Sequence, residues 1–380
     1  MEIPEFKHFF KQIVVNYFLL GISFDESKIS IRFYLFLISI ILMLTGEISF
    51  FVSKISSENF LKLTELAPCI CIGLLSFLKI VCIVWKREKI NKFVISLSDL
   101  YSEITADIKK QNIVKSELGF LSLLIKYYFI LNVFLIFVYN FSSIIIMLYY
   151  YITKNEITFI LPYAVLLPFS TDSMLAWIVV YIFSITNGFN CVLFFTSVDI
   201  LYYVLTCHLC CHFSLISNEL QYLDTMTMSS LRNIVKKHQY ILKLSLILED
   251  IFTVPNFFNV LMGSLQICAL GFNLTMGDWT QMLGVVLFLN SVLIQIYMTC
   301  LFGENLICES EKVGEAAYAC LWYNMDVRPM KHILLLLLRS KKPQILTAYK
   351  FSVISYQCFT KIISTSWSYF TILRTIYADK

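Results

Sequence analysis

The chain has 380 residues, 58% of them hydrophobic and only 15% charged, with a formal net charge of +4. That balance excludes an ordinary soluble domain and points to an integral membrane protein. The charge is too slight to suggest a nucleic-acid partner, but its distribution along the chain is informative.

The first thirty residues (MEIPEFKHFFKQIVVNYFLLGISFDESKIS) lack an apolar core of signal-peptide length followed by small residues. Their apolar patch, Ile13 to Val15 with Tyr17 to Leu20, predicts an interfacial or packed helix instead of a span. Beyond it, four stretches contain no Asp, Glu, Lys or Arg: 127–153, 173–198, 251–277 and 279–303. Each is long enough to cross a hydrocarbon core of ~30 Å as a helix rising ~1.5 Å per residue. Three interrupted stretches complete a set of seven: 33–52, broken by Glu47; 66–85, broken by Lys79; and 345–377.

Taking the N-terminus as cytoplasmic makes 1–32, 86–123, 199–250 and 304–344 the inside segments, with 4, 7, 4 and 6 Lys/Arg. The outside loops hold Lys54, Lys62 and Lys154 only. This bias fixes the N-terminus inside and, after seven crossings, the C-terminus outside. The run Lys86-Arg87-Glu88-Lys89 with Lys92 is a juxtamembrane anchor that would touch anionic lipid; it is not a nucleic-acid patch. The twelve cysteines avoid the outside loops, so no extracellular disulfide is expected.

Residues 199–250 show apolar spacing typical of helices that extend spans four and five into the cytoplasm. The segment 304–344 ends in Ile333–Leu338, a run too short to cross, which predicts a helix packed in a cytoplasmic bundle. The expected architecture is one all-α membrane domain over 1–380. Spans one to six lie within 33–303, anchor helices within 304–344, and a seventh span over 345–377. That last stretch carries Gln357, Lys361, Ser364, Thr365, Ser366, Ser368 and Thr371. Polar groups at membrane depth must face protein or water, so the helix has one wet side.

Three segments carry a family resemblance: HQYILKLSLILEDIF, GENLICESEKVGEAAYACLWY and LLLLLRSKKPQILTAYKFSVISYQCFTKIISTSWSYFTILR. With the inverted seven-span layout, the chain resembles the insect odorant receptor family over essentially its whole length. Gln357-Cys358-Phe359 is similar to the Gln-Phe ending of the related gustatory receptors, with one residue inserted. The resemblance implies a ligand-gated, non-selective cation channel in the plasma membrane of a sensory neuron. It also implies a tetramer formed with the odorant receptor co-receptor, each subunit giving its seventh helix to one pore. The co-receptor carries a large insertion between spans four and five. Here 199–250 is short, which marks a ligand-tuning subunit.

Aligned with the co-receptor's last helix, the family's gate falls on Ile372 and the polar position outside it on Thr375. Independently, Ile372, Ser368, Thr365 or Ser364, and Lys361 recur every three to four residues on one helical face. Hydroxyls along a wet path, closed by one apolar ring, suit a gate that shuts by dewetting. Lys361 faces that vestibule, or it snorkels or pairs with a carboxylate.

Family resemblance places the ligand pocket among the outer halves of spans two, three, four and six. Candidates at helical spacing are Leu74 and Phe77; Phe137, Phe141 and Ile145; Met174, Trp177 and Tyr181; and Phe288 with Ser291. Such a lining suits a small volatile ester, terpenoid, alcohol or aldehyde.

The cluster Cys207-His208-Leu209-Cys210-Cys211-His212 forms separate i,i+4 pairs that do not converge on a tetrahedral metal site. Packing is its reading, ahead of palmitoylation and of zinc. Asn273-Leu274-Thr275 matches a glycosylation sequon but sits against the membrane, and Asn140-Phe141-Ser142 lies inside span three. Glu47, Asp172, Asp199 and Asp278 stand isolated, so no catalytic constellation forms and neither enzyme activity nor a cofactor is expected. A G-protein-coupled receptor would have the opposite orientation, and a transporter would show matching broken halves.

Overall fold

The computed structural model of the chain describes residues 3–22, 29–55, 60–155, 159–169, 173–221, 228–276 and 282–378. Ten α-helices dominate it: α1 (Phe6–Leu19), α2 (Ile31–Ser53), α3 (Phe60–Trp85), α4 (Arg87–Thr105), α5 (Ile108–Lys154), α6 (Met174–Gln221), α7 (Met228–Met276), α8 (Met282–Ala319), α9 (Val327–Ser340) and α10 (Tyr356–Ala378). A two-stranded hairpin, β1 (Thr347–Ala348) and β2 (Ser352–Val353), precedes α10.

Apolar runs of this length become helices because only intrasegment bonding satisfies backbone groups inside a bilayer. Among the described residues, six helices are long and apolar enough to span: α2, α3, α5, α6, α7 and α8. The seventh, α10, has 23 residues, enough to cross at ~1.5 Å each, but its hydroxyls lower its hydropathy. The fold is the predicted all-α, seven-span membrane architecture. The Lys/Arg-rich ends of the helices lie on the cytoplasmic side and the C-terminus on the opposite one.

Local signals mark the helix ends. Gly21 takes a left-handed φ of 80° after α1, where Ile22 N donates to Tyr17 O at 2.8 Å. Asp107 caps α5 by accepting from Lys109 N at 2.9 Å, and left-handed Asn155 (φ 54°) ends it. α1 is amphipathic: Phe9, Phe10, Ile13 and Tyr17 are buried while Val14, Val15, Phe18 and Leu19 are exposed, as an interfacial helix requires.

α6 is the hub. Every residue from Phe194 to Phe213 is buried, and its largest packing surface is with α8. Below the membrane α5, α6, α7 and α8 continue as helices; Lys237–Glu103 at 2.9 Å ties α7 to α4, and Lys110–Glu219 at 3.5 Å ties α5 to α6. α9 packs on α8 and α7, completing the anchor bundle. It buries Ile333 and Leu336 and leaves Leu334, Leu335 and Leu338 exposed.

The last span differs from its predicted extent of 345–377. Helix begins only at Tyr356, because Tyr349 and Lys350 both take left-handed φ (50° and 63°) and turn the chain into the hairpin. Phe351 N closes that turn on Ala348 O at 3.0 Å.

Candidate functional site

The walls of α2, α3, α5, α6 and α8 enclose a cavity of about 70 Å³, counted as the space open to the centre of a water molecule. It lies toward the outer ends of these helices. Ile40, Met43, Leu44, Ile72, Leu135 and Phe288 give it an apolar surface. A strap, residues 159–169, roofs it through Tyr163.

Two glycines let the strap sit down. A Cβ on Gly46 would fall 2.3 Å from Val165 Cγ1, and one on Gly188 would fall 2.4 Å from Tyr163 Oη. Leu166 N donates to Gly46 O at 3.1 Å, Tyr163 Oη to Asn140 Oδ1 at 3.0 Å and Trp177 Nε1 to Ile160 O at 3.2 Å.

The polar groups on the wall are unequal. Tyr139 Oη and Cys69 Sγ share a hydrogen at 2.9 Å, and Tyr163 spends its proton on Asn140. Asn187 donates from Nδ2 to Phe183 O at 3.0 Å, which leaves its Oδ1 buried without a partner. Glu47 is only 4% exposed, and among the described residues nothing donates to or pairs with its carboxyl group. Sequence reading dismissed Glu47 as isolated. An acid inside a span is itself the signal that marks this site.

Among the predicted pocket residues, Phe288 lines this cavity. Trp177 and Tyr181 are buried and stacked at 4.8 Å behind the strap, and Tyr181 Oη donates to Asn140 O at 2.9 Å. Ser291 donates to Asn132 Oδ1 at 2.9 Å, away from the cavity. Leu74 and Phe77 are half-buried on α3. Phe137, Phe141, Ile145 and Met174 are exposed and face outward. Helical spacing groups residues on a face but does not say which way an all-apolar helix turns that face.

Asp199 corrects the reading of isolated acids. Lys79 Nζ reaches its Oδ1 at 2.6 Å, both side chains being buried. Tyr128 Oη and Gln295 Nε2 each donate to its Oδ2 at 3.1 Å. Lys79 also lies 3.9 Å over the Phe195 ring. The two charges that interrupt the second span and close the fourth therefore form one buried network joining α3, α5, α6 and α8. Asp172 and Asp278 lie outside the described residues.

On α10, Cys358, Ile362, Ser366 and Phe370 are buried at four-residue spacing, with Ser366 Oγ donating to Ser264 O on α7 at 3.0 Å. The other face presents Lys361, Ser364, Ser368, Ile372 and Thr375 to the exterior, with Thr365 half-buried beside them. Ile372 is 53% exposed. Lys361 has no carboxylate within ion-pair distance among the described residues.

The Cys207–His212 cluster is buried core. His208 lies 5.2 Å from the rings of Phe6 and Phe9, and Cys211 donates to Glu117 at 3.3 Å. No grouping of three or more metal-ligating side chains occurs among the described residues. Asn273 is buried and donates to Thr64 O at 2.9 Å; Asn140 is buried beneath the strap.

Known proteins are similar to this chain in sequence and in fold. A family model described as 7tm Odorant receptor matches residues 61–367. Odorant receptor 13a of Drosophila melanogaster is 29% identical over 245 residues, covering 57% of this chain and 58% of that protein. That match therefore spans little more than half of the relative's length. Putative odorant receptor 92a of the same fly is 27% identical over 367 residues, covering 91% of this chain and 88% of the relative. The solved structure of the insect olfactory receptor OR5 from Machilis hrabei in complex with eugenol is alike in fold, with a TM-score of 0.87 at 16% identity, covering 98% of this chain and 100% of that one. With more than half of its length matched by the family model, the chain belongs to the 7tm odorant receptor family.

Proposed function

We propose that the protein is an odorant-tuning subunit of a ligand-gated, non-selective cation channel, assembled as a tetramer with a co-receptor subunit in the plasma membrane of a sensory neuron. The observation that carries this reading is the two-faced α10. One face packs on α7 and α8; the other offers Ser364, Ser368, Ile372 and Thr375 to whatever surrounds the subunit. Hydroxyls and a lysine are costly against lipid, whereas around a shared aqueous axis they are solvated. Each subunit then contributes one polar stripe, with Ile372 as the apolar ring that closes the path.

A small volatile in the roofed cavity opens the gate to the extent that it binds the open state more tightly. The connection runs through α7 and α8, since α3 packs on α7 and the cavity wall includes α8. The test is electrical. Ile372→Ala and Ile372→Ser, expressed with the co-receptor, should raise ligand-independent current several-fold; an unchanged closed state at normal surface expression would remove Ile372 from the gate.

A further inference from the structure

The cavity wall has a chemical imbalance that the channel reading does not use. Its apolar surface suits many volatiles, but two of its polar groups are unmatched: the Glu47 carboxyl group, an acid that no described residue pairs with, and Asn187 Oδ1, an acceptor without a partner. Their side chains belong to residues only 4% and 3% exposed. Among the side chains that line the cavity, the Tyr163 hydrogen goes to Asn140 and the one between Tyr139 and Cys69 stays with that pair. Aromatic rings stand on the same wall, Tyr139 and Phe288 at a centroid distance of 6.4 Å, with Tyr163 above them 5.5 Å from Tyr139.

An unpaired charge is costly at this burial, so the acid keeps its proton until a base arrives, and an acceptor left dry is costly as well. A ligand that takes that proton and supplies several N–H donors on a positive centre satisfies both groups, and ring faces add cation–π attraction. An ester, an aldehyde or a ketone can accept one hydrogen from the acid but leaves Asn187 Oδ1 unmet. An alcohol brings one donor and no charge.

We propose that this cavity is tuned to small apolar amines: the Glu47 carboxyl group gives its proton to the amine nitrogen and holds the resulting ammonium as a carboxylate, Asn187 Oδ1 takes a second N–H, and the hydrocarbon part lies against Met43, Leu44 and Phe288. This rests on the cavity being the ligand site of the channel; it adds the class of ligand. Lys79 and Asp199 satisfy each other elsewhere, and Glu47 supplies the one carboxyl group among the residues that line this cavity.

The test uses matched skeletons: 3-methylbutylamine, 3-methylbutan-1-ol and 3-methylbutanal. Two readouts are taken, current from the channel co-expressed with the co-receptor and thermal stabilisation of the purified full chain. The amine should act at concentrations at least tenfold lower than the alcohol and lower still than the aldehyde in both. Glu47→Gln should erase that preference, so that amine and alcohol act at concentrations within about threefold of each other. An amine that stabilises the chain no better than the alcohol overturns the proposal, and this comparison in the unmodified protein needs no variant to fold. So does a Glu47→Gln variant, present at the cell surface, that keeps the preference. Selective stabilisation by the amine without any evoked current would uphold the amine site and overturn the channel reading instead.

Discussion

At the residue scale, the Lys79–Asp199 pair decides more than its two charges suggest. Each would be prohibitive alone at that depth; together with Tyr128 and Gln295 they satisfy one another. Removing one partner leaves the other buried and bare, at a cost of about 3–5 kcal/mol. Lys79→Met or Asp199→Asn should therefore lower the melting temperature of the purified protein sharply. The double variant should recover part of the loss, and additive losses would show that the pair is not coupled. The sequence displays both residues but not their meeting, because 120 positions separate them and neither spacing nor motif links a mid-span lysine to a distant aspartate. Glu47 was visible for the same reason, as a charge where charge is costly. Its surroundings were not, since Tyr139, Tyr163 and Asn187 line the same cavity from three other segments of the chain.

At the scale of elements, the β1–β2 hairpin is the join between the cytoplasmic anchor and α10. Thr347 N donates to Glu249 Oε2 of α7 at 2.8 Å, and Thr347 Oγ1 donates to the other oxygen of that carboxylate. Tyr356 N, at the start of α10, donates to Glu304 Oε2 of α8 at 3.0 Å, where a negative charge also suits the helix dipole. Gly303 completes the seat: a Cβ there would stand 2.3 Å from Ile354 O. Gly303→Ala must shift hairpin backbone, so we expect evoked current to fall several-fold while the purified chain is still stabilised by ligand. Equal evoked currents at equal surface density would show that the hairpin does not transmit opening. The helical reading of 345–355 failed here because a two-residue turn with left-handed φ normally announces itself with Asn or Gly. Tyr349 and Lys350 carry no such mark; the turn is held by Lys350 N donating to Thr347 Oγ1 at 3.1 Å, with the Phe257 ring 5.7 Å from Phe351.

At the scale of the whole molecule, the spans and their orientation were legible because hydrocarbon thickness and the Lys/Arg bias act on sequence directly. The facing of each apolar helix was not, as Phe137 and Met174 show by pointing away from the cavity. The anchor bundle exposes Leu334, Leu335 and Leu338, between 52% and 65% each, on the side that meets cytosol instead of lipid. In a tetramer that stripe is covered by a neighbour. Leu335→Glu with Leu338→Glu should break the detergent-solubilised tetramer into smaller species on size-exclusion chromatography, and an unchanged elution volume would place the interface elsewhere. The all-round burial of α6 from Phe194 to Phe213 also bears on how the chain is made. The outer half of this helix offers Leu175, Val179 and Ile182 to lipid, but the inner half has no exposed side and carries the buried Asp199. α6 is synthesised before α7 and α8, and α8 supplies both its largest packing surface and the Gln295 that completes the Asp199 network. The inner half of the fourth span therefore takes its final place only once the sixth has arrived.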